Sequence, residues 1–465
     1  MKTKILFMFI LSLFAFTGCE DFLNQQPVSQ ISDKNFYKTQ ADLETAIVGA
    51  YDRLQAVYQR EFALTEMRSD NAGSQKHEGN WAEFEYLNVG VSNIHIYTYW
   101  TSSYAAIHVA NTVLENSGII TNNELKTQIE SEAKFIRALM HFNLVRLYKN
   151  IMWVDMVVPY QDAADYRQSP STEVYDNIIT DLTDAVAGLP EKGDVSEGRA
   201  TKGAARALLA NVYLTTGDYP AAAALLNAII TDGQYSLEPE FRDVFYQECN
   251  DEILFAVEYM DDSNGNAQDY SREFTSDGTA SGVNTPTDDL VIGLFGAVDS
   301  ATFADGGNDP ERFLTSITTD AKKNISVGKF VSSSGSSLLS GNDWIILRYA
   351  DVLLMYAEAI LAGGTSTDDA SAVAAYKEVL DRAGQDTGSI TSYTADELLE
   401  QRRREFAFEN KRWFDLGRFG VLESTMTAFG AGEGGFTFTA EDLVLPIPDA
   451  EIKSSNVLVQ NEGYN

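Results

Sequence analysis

Residues Gln401–Gly420 read QRRREFAFENKRWFDLGRFG. Asp396, Glu397, Leu398 and Leu399 lead in, and no Pro or Gly interrupts before Gly417, so the stretch is predicted to open as one helix. Phe406 and Trp413 stand seven apart and share a helical face, while Glu405, Glu409 and Arg412 fall on another at spacings where side chains can pair. Six of the chain's 34 Lys and Arg lie in these twenty residues, against a net charge of −34. Two readings follow. The stretch is a helix docked by its aromatics and laced with ion pairs, or its cations form an anion or substrate site. Aromatics at helical spacing beside mixed charge favour packing.

Working outward, the chain has 465 residues, 44% hydrophobic and 22% charged, enough for a sizeable core. A surface this acidic repels phosphate backbones, which excludes nucleic acid as a partner. The N-terminus sets the compartment. Lys2 and Lys4 precede the apolar run Ile5–Phe16, and Phe16-Thr17-Gly18-Cys19 follows. Residues 1–18 read as a secretory signal, too short to span a membrane, with Cys19 at the cleavage point as the lipid-attachment residue. Lipid on Cys19 leaves Cys249 alone, so neither a disulfide nor a cysteine metal site is expected. Cys249, before the apolar run of CNDEILFAVEY, is predicted to be a buried thiol at a strand start.

Asp21–Ser32 reads as a polar tether. Helices are predicted over Asp42–Gln59 (stripe Leu43, Ile47, Ala50, Leu54, Val57), Ile94–Gly118 and Leu125–Lys149, with Glu66–Glu85 irregular between them. Ala204–Leu214 and Tyr219–Ile230 flank a Thr-Thr-Gly-Asp turn at tetratricopeptide spacing. Glu173–Gly188 supplies another half-unit, and Trp344–Leu361 with Ala370–Ala383 a further pair. Such pairs bury their apolar faces only by stacking on neighbours. Met260–Asn342 is rich in Gly, Ser, Asp and Asn and reads as a loop-rich insert, the kind of region that carries binding.

The RRREFAFE and RWFDLGRFG segments, through Arg402, Arg403, Arg404, Glu405, Phe408, Glu409, Arg412, Trp413, Phe414, Asp415 and Arg418, resemble the signature of the SusD/RagB family of outer-membrane nutrient-binding lipoproteins. LRYADVLLMYAEA at Leu347–Ala359 and the terminal LPIPDAEIKSSNVLVQNEGYN resemble the same family, although Val457 and Glu462 stand where Pro is common. Glu20 and Asp21 after Cys19 resemble its surface-export tag. The resemblance implies an all-α-dominated fold of tetratricopeptide-like helix pairs with a loop-rich irregular insert. Residues 19–245 would form the N-terminal helical region and 246–465 the C-terminal region, with the insert at 260–342. It also implies a lipid-anchored protein on the extracellular face of the outer membrane. There it would bind a glycan and deliver it to a SusC-like TonB-dependent transporter. A peptide cargo in the same uptake role, as RagB-like members suggest, is the alternative.

Chemistry beyond binding has little support in the residues. The four His are scattered, and no HExxH, GxSxG or phosphate-cradling loop is present. No cofactor or metal is expected, and the acid pairs Asp261-Asp262 and Asp288-Asp289 lack calcium-loop spacing. A surface glycosidase would need two positioned carboxylates, which 68 acidic residues cannot single out. Sugar rings stack their C–H faces on Trp or Tyr, while Asn, Asp and Arg bond the hydroxyls. Loop aromatics are therefore the candidates: Trp81 in HEGNWAEFEY and Tyr270 in NAQDYSREF, with Asn80, Tyr86 and Arg272 beside them. The competing reading is that Trp81 and Tyr270 pin their loops to the helical body.

Overall fold

The computed structural model describes residues 37–74, 79–261, 265–275, 282–296, 307–319, 325–332 and 338–464. Cys19, its leader and the tether over Asp21–Ser32 lie outside the described residues.

Helix α1 (Gln40–Leu64) opens on a capping box in which Thr39 Oγ1 accepts from the Asp42 N–H and the Asp42 carboxylate accepts from the Thr39 N–H. Its stripe Leu43, Ile47, Ala50, Leu54 and Val57 is buried, chiefly against α3. The short α2 (Gly79–Glu85) precedes α3 (Ile94–Asn116) and α4 (Asn123–Tyr148). Then come α5 (Ser171–Gly188), α6 (Lys202–Thr216) and α7 (Tyr219–Asp232). Between α6 and α7 the chain reverses on Gly217 at φ 83°, and Asp218 caps the next helix by accepting from the Ala221 N–H. The second half adds α8 (Tyr349–Leu361) and α9 (Ala370–Arg382). Helix packs on sequential helix from α3 through α7, and α8 lies on both α7 and α9. That is the stacking the repeat spacing predicts, and one apolar cluster runs through it from Leu43 to Ile447. Among the described residues no helix is long and apolar enough to cross a membrane.

A short antiparallel pair ties the insert to the body, β1 (Ala72–Gly73) with β3 (Thr285–Pro286), and another brackets it, β2 (Ile253–Val257) with β6 (Trp344–Arg348). β4 (Ile317–Thr319) pairs with β5 (Ile325–Val327), and β7 (Ser366–Thr367) with β8 (Tyr393–Thr394). The chain finishes with α10 (Ala395–Phe406), α11 (Arg412–Arg418), α12 (Leu422–Phe429) and α13 (Asp449–Ser454).

Three local expectations are corrected. Trp344–Leu361 is not one helix: Trp344–Arg348 is strand β6, where β-branched Ile345 and Ile346 sit in an extended run whose backbone bonds go to β2. Nor is Gln401–Gly420 continuous. It breaks after Phe406, and Phe408 and Asn410 turn at φ 67° and 61°. The Glu66 carboxylate accepts from the Phe408 N–H at 2.9 Å and the Asn410 N–H at 3.1 Å, so a side chain on the turn just after α1 takes up backbone donors here. Phe406 therefore packs in the main core, while Trp413 joins Leu416 and Met426 in a second cluster, with the Arg68 guanidinium 4.0 Å above its ring. Finally, Cys249 is exposed rather than buried, on a turn at φ 51° ahead of β2. Partial burial and the nearby Glu258 carboxylate push its thiol up to about 12, which leaves it protonated and unreactive.

Candidate functional site

The cations of the α10–α11 stretch were one candidate site, and the structure assigns them to the interior. Glu405 and Arg348 are 0% and 1% exposed. Arg348 donates to Glu405 at 2.6 Å, to Glu252 at 2.8 Å and to both oxygens of Glu409 at 2.8 and 2.9 Å. Arg382 also binds Glu405, and Lys329 donates to Glu409 at 2.6 Å. Glu405, Glu409 and Arg412 do not pair with one another, because the helix break separates them; Arg412 forks onto Asp70 with two bonds of 2.7 Å. Arg402 forks onto Asp415, and Arg418 onto Glu358. Burial alone would raise the pKa of Glu405. The guanidiniums of Arg382, Arg348 and Arg312 overturn that and hold the carboxyl below the usual range. These charges are engaged with one another, which makes the stretch a structural joint.

The residues predicted from loop composition take changed roles. Tyr270 stands on a single helical turn, Tyr270–Glu273, and is 0% exposed. Its ring lies among Trp344 (5.2 Å), Phe330 (5.7 Å), Tyr259 and Phe274 (both 5.8 Å), and its hydroxyl donates to the Asn342 carbonyl at 2.5 Å. It cannot be a sugar platform, because no ring face reaches solvent; it pins the insert to the core. Trp81 lies on α2, not in a loop, and is half-buried. Its ring stacks at 5.4 Å on Phe62 and at 3.7 Å on the His95 imidazole, so a sugar would have to displace His95 to use that face. Burial and the nearby Arg60 charge hold His95 at about 4, hence neutral and suited to stacking. Asn80, also half-buried, donates to Glu83 at 2.9 Å and its carbonyl accepts from Asn93. Arg272 is half-buried beside Asp269, whose carboxylate is forked by Arg60 at 2.7 and 2.9 Å. Of the five, Tyr86 is the one classed as exposed, at 37%.

Glu85, the residue before Tyr86, lines an open cavity of about 430 Å³ that composition did not reveal. Gly73, Ser74 and Glu85 line it from the N-terminal segment, Thr285, Thr287 and Asp288 from the insert, Phe429 from the end of α12 and Glu433 from the turn after it. The β1–β3 pair builds it, reinforced by the Thr285 hydroxyl donating to the Gly73 carbonyl at 3.0 Å. Three carboxylates lie on its wall, those of Glu85, Asp288 and Glu433, and two of them act as braces. Glu85 accepts from the Ser74 N–H at 3.0 Å, and Glu433 from the N–H groups of Asp288 and Asp289 at 2.8 and 2.9 Å. Hydrophobic periodicity carries no signal for a pairing across more than two hundred positions; the small residues Gly73 and Ser74 were the one local hint. Among the described residues, no group of His, Cys, Asp and Glu is arranged to hold a metal ion.

Comparison with known proteins places this architecture. A family described as the SusD family matches residues 302–464, and one described as starch-binding associating with outer membrane matches residues 21–214. SusD-like protein P2 of Formosa agariphila is 30% identical across 98% of this chain and 99% of its own length. Among solved structures, a laminarin-binding SusD-like protein superposes with a TM-score of 0.78 at 23% identity, covering 92% of this chain and 100% of that one. Surface glycan-binding protein A from Bacteroides thetaiotaomicron, in complex with laminarihexaose, gives 0.76 at 21% identity, covering 91% and 100%. The stacked helix pairs, the joint at Glu405 and the near-complete alignment have one consistent source: the chain belongs to the SusD family.

Proposed function

We propose that the protein captures a glycan at the cell surface, without turning it over, and passes it to a SusC-like TonB-dependent barrel transporter. In this reading Cys19 carries the lipid that tethers it to the outer membrane. The observation that carries the proposal is the cavity where the N-terminal segment meets the insert. It is open and within the size range of ligand sites. It offers hydroxyls from Ser74, Thr285 and Thr287 and apolar surface from Phe429, with Tyr86, Trp81 and Asn80 on the adjoining helix and turn. Of the three carboxylates on its wall, those of Glu85 and Glu433 are engaged by backbone N–H groups, which leaves Asp288 without a second free acid to work with and favours binding over hydrolysis. The named ligands of related structures, laminarin and laminarihexaose, support the neutral-sugar class.

Electrophoresis of the purified protein through gels containing laminarin, starch or xyloglucan tests the reading. Retarded migration in one of them, with no new reducing ends after a day with the corresponding oligosaccharide, is the expected result. Unretarded migration in all three, together with saturable binding of peptides, would assign the cavity to a peptide cargo. Palmitate labelling lost in Cys19→Ala checks the anchor.

A further inference from the structure

A second concavity lies between the outward face of α3, the loop that follows α4 and the C-terminal helix α13. Its volume is about 680 Å³, and it shares no lining residue with the cavity at β1–β3. Three tyrosine rings line it. Two are fixed by their hydroxyls: Tyr104 donates to the Met152 carbonyl at 3.0 Å and accepts from the Met152 N–H at 3.1 Å, and Tyr166 donates to the Trp153 carbonyl at 3.0 Å. The third, Tyr160, follows Pro159 on a turn and is 96% exposed. Three polar side chains face the same space without an intramolecular hydrogen bond among the described residues: His108 on α3, Gln161 beside Tyr160, and Glu451 on α13. No Lys or Arg contributes to the lining.

We infer that this groove is a second binding site for a neutral oligosaccharide, with Tyr160 as its stacking platform and His108, Gln161 and Glu451 as partners for sugar hydroxyls. The inference rests on the glycan reading above. Tyr104 and Tyr166, fixed by their hydroxyls, shape the wall at little entropic cost, Tyr160 offers an open ring face, and aromatic stacking beside uncommitted polar groups is the chemistry that sugar recognition needs. The charge of the wall selects against the alternatives. A lone acid with no cation repels an anionic ligand. An apolar polypeptide would cover the rings, but it would also strip water from His108, Gln161 and Glu451 without replacing their hydrogen bonds. Sugar hydroxyls replace them.

Calorimetric titration with laminarihexaose, maltohexaose and cellohexaose tests the site in the wild-type protein, Tyr160→Ala and Tyr86→Ala. Tyr160 is almost wholly in solvent, so its removal leaves the fold intact. For the hexasaccharide that binds, the wild-type isotherm should require two sites. Tyr160→Ala should weaken one of them tenfold or more, and Tyr86→Ala should spare that one. A Tyr160→Ala isotherm that superposes on wild type, while Tyr86→Ala loses affinity, overturns the second site and leaves the proposed function standing. Binding of none of the three sugars removes both. Loss in Tyr160→Ala of affinity for a Met- and Phe-rich peptide, with sugar affinity untouched, gives the groove to a polypeptide instead.

Discussion

Glu405 and Glu433 each fasten one part of the chain to a distant one, under opposite conditions. Glu405 is wholly buried and binds Arg348, Arg382 and Arg312. Glu433 is exposed and accepts from two successive backbone N–H groups at the edge of the cavity. In the interior a carboxylate is tolerated only when cations and donors replace its lost water, so the joint at Glu405 is highly connected and fixed. At the rim water can substitute for either partner, so the same carboxylate chemistry is weak and its surroundings can yield to a ligand. The body of the protein is held by a costly lattice of charge, and the rim of the cavity by bonds that are individually cheap.

Removing Glu405 is the sharpest way to break the contrast. Glu405→Ala leaves Arg348 and Arg382 without one of their shared anions in a dry site. It should destabilise by about 4–5 kcal/mol, the upper end for an orphaned buried charge, or prevent accumulation of folded protein. Urea denaturation with circular dichroism measures it. A loss below about 1 kcal/mol would show that the lattice reorganises around Glu409 and Glu252 and is less fixed than its geometry.

Trp413→Ala follows. The side chain is 3% exposed in the smaller cluster, beneath Arg68. The cavity left there should cost about 3 kcal/mol. Ligand affinity of the protein that still folds should be unchanged, since the ring belongs to the joint and not to the cavity. A variant of wild-type stability that has lost binding would move the α10–α11 stretch to the ligand.

The break after Phe406 marks where the sequence stopped being readable. The repeat helices were legible because each carries its own apolar period, and α1, α3, α4, α6 and α7 lie within a few residues of where periodicity places them. The turn at Phe408 and Asn410 has no local cause; it is made by Glu66, more than three hundred residues earlier. Tyr270 misled for a related reason. Its neighbours in the sequence are polar, but its neighbours in space are Trp344, Phe330 and Tyr259. The cavity at β1–β3 was illegible because two-residue strands carry no period. Nothing in NWAEFEY indicated that His95 would occupy a face of Trp81. Charge pairing was read correctly in kind and wrongly in partner, because spacing on an assumed helix cannot see the Arg residues of other elements.

His95 lies between the two regimes, half-buried against Trp81, and pH separates its contribution. Its folded value, about 4, lies below its ordinary 6.5. As pH falls through that window the unfolded chain takes up the proton and the folded chain does not. Stability is therefore full above about 6.5, declines between 6.5 and 4, and is lost below. The loss should be about 2 kcal/mol, discounted for the solvent that reaches the ring. The carboxylates held low by arginine add their own losses at lower pH, so the difference between wild type and His95→Phe isolates this part. A difference flat from about pH 7 to pH 4 would mean that the imidazole protonates in place and the stack on Trp81 opens.

The smallest expected effect on folding belongs to the rim, and it should be the largest on binding. Tyr86 is 37% exposed and follows α2, whose Glu85 lines the cavity. Tyr86→Ala truncates a side chain at the surface and should change stability by about 0.5 kcal/mol or less. Glu433→Ala should cost under about 1 kcal/mol, since an exposed carboxylate releases its two N–H groups to water. If the cavity takes a sugar, losing a ring at its edge should weaken the best-binding hexasaccharide about tenfold, or roughly 1.4 kcal/mol. Releasing Asp288 and Asp289 should loosen β3 and raise the off-rate more than it lowers the on-rate. Titration beside thermal melts reads both quantities in one preparation. Affinity intact in both variants would clear the rim of any role. Affinity and stability falling together would show that the rim belongs to the lattice after all and that the contrast between Glu405 and Glu433 is one of degree.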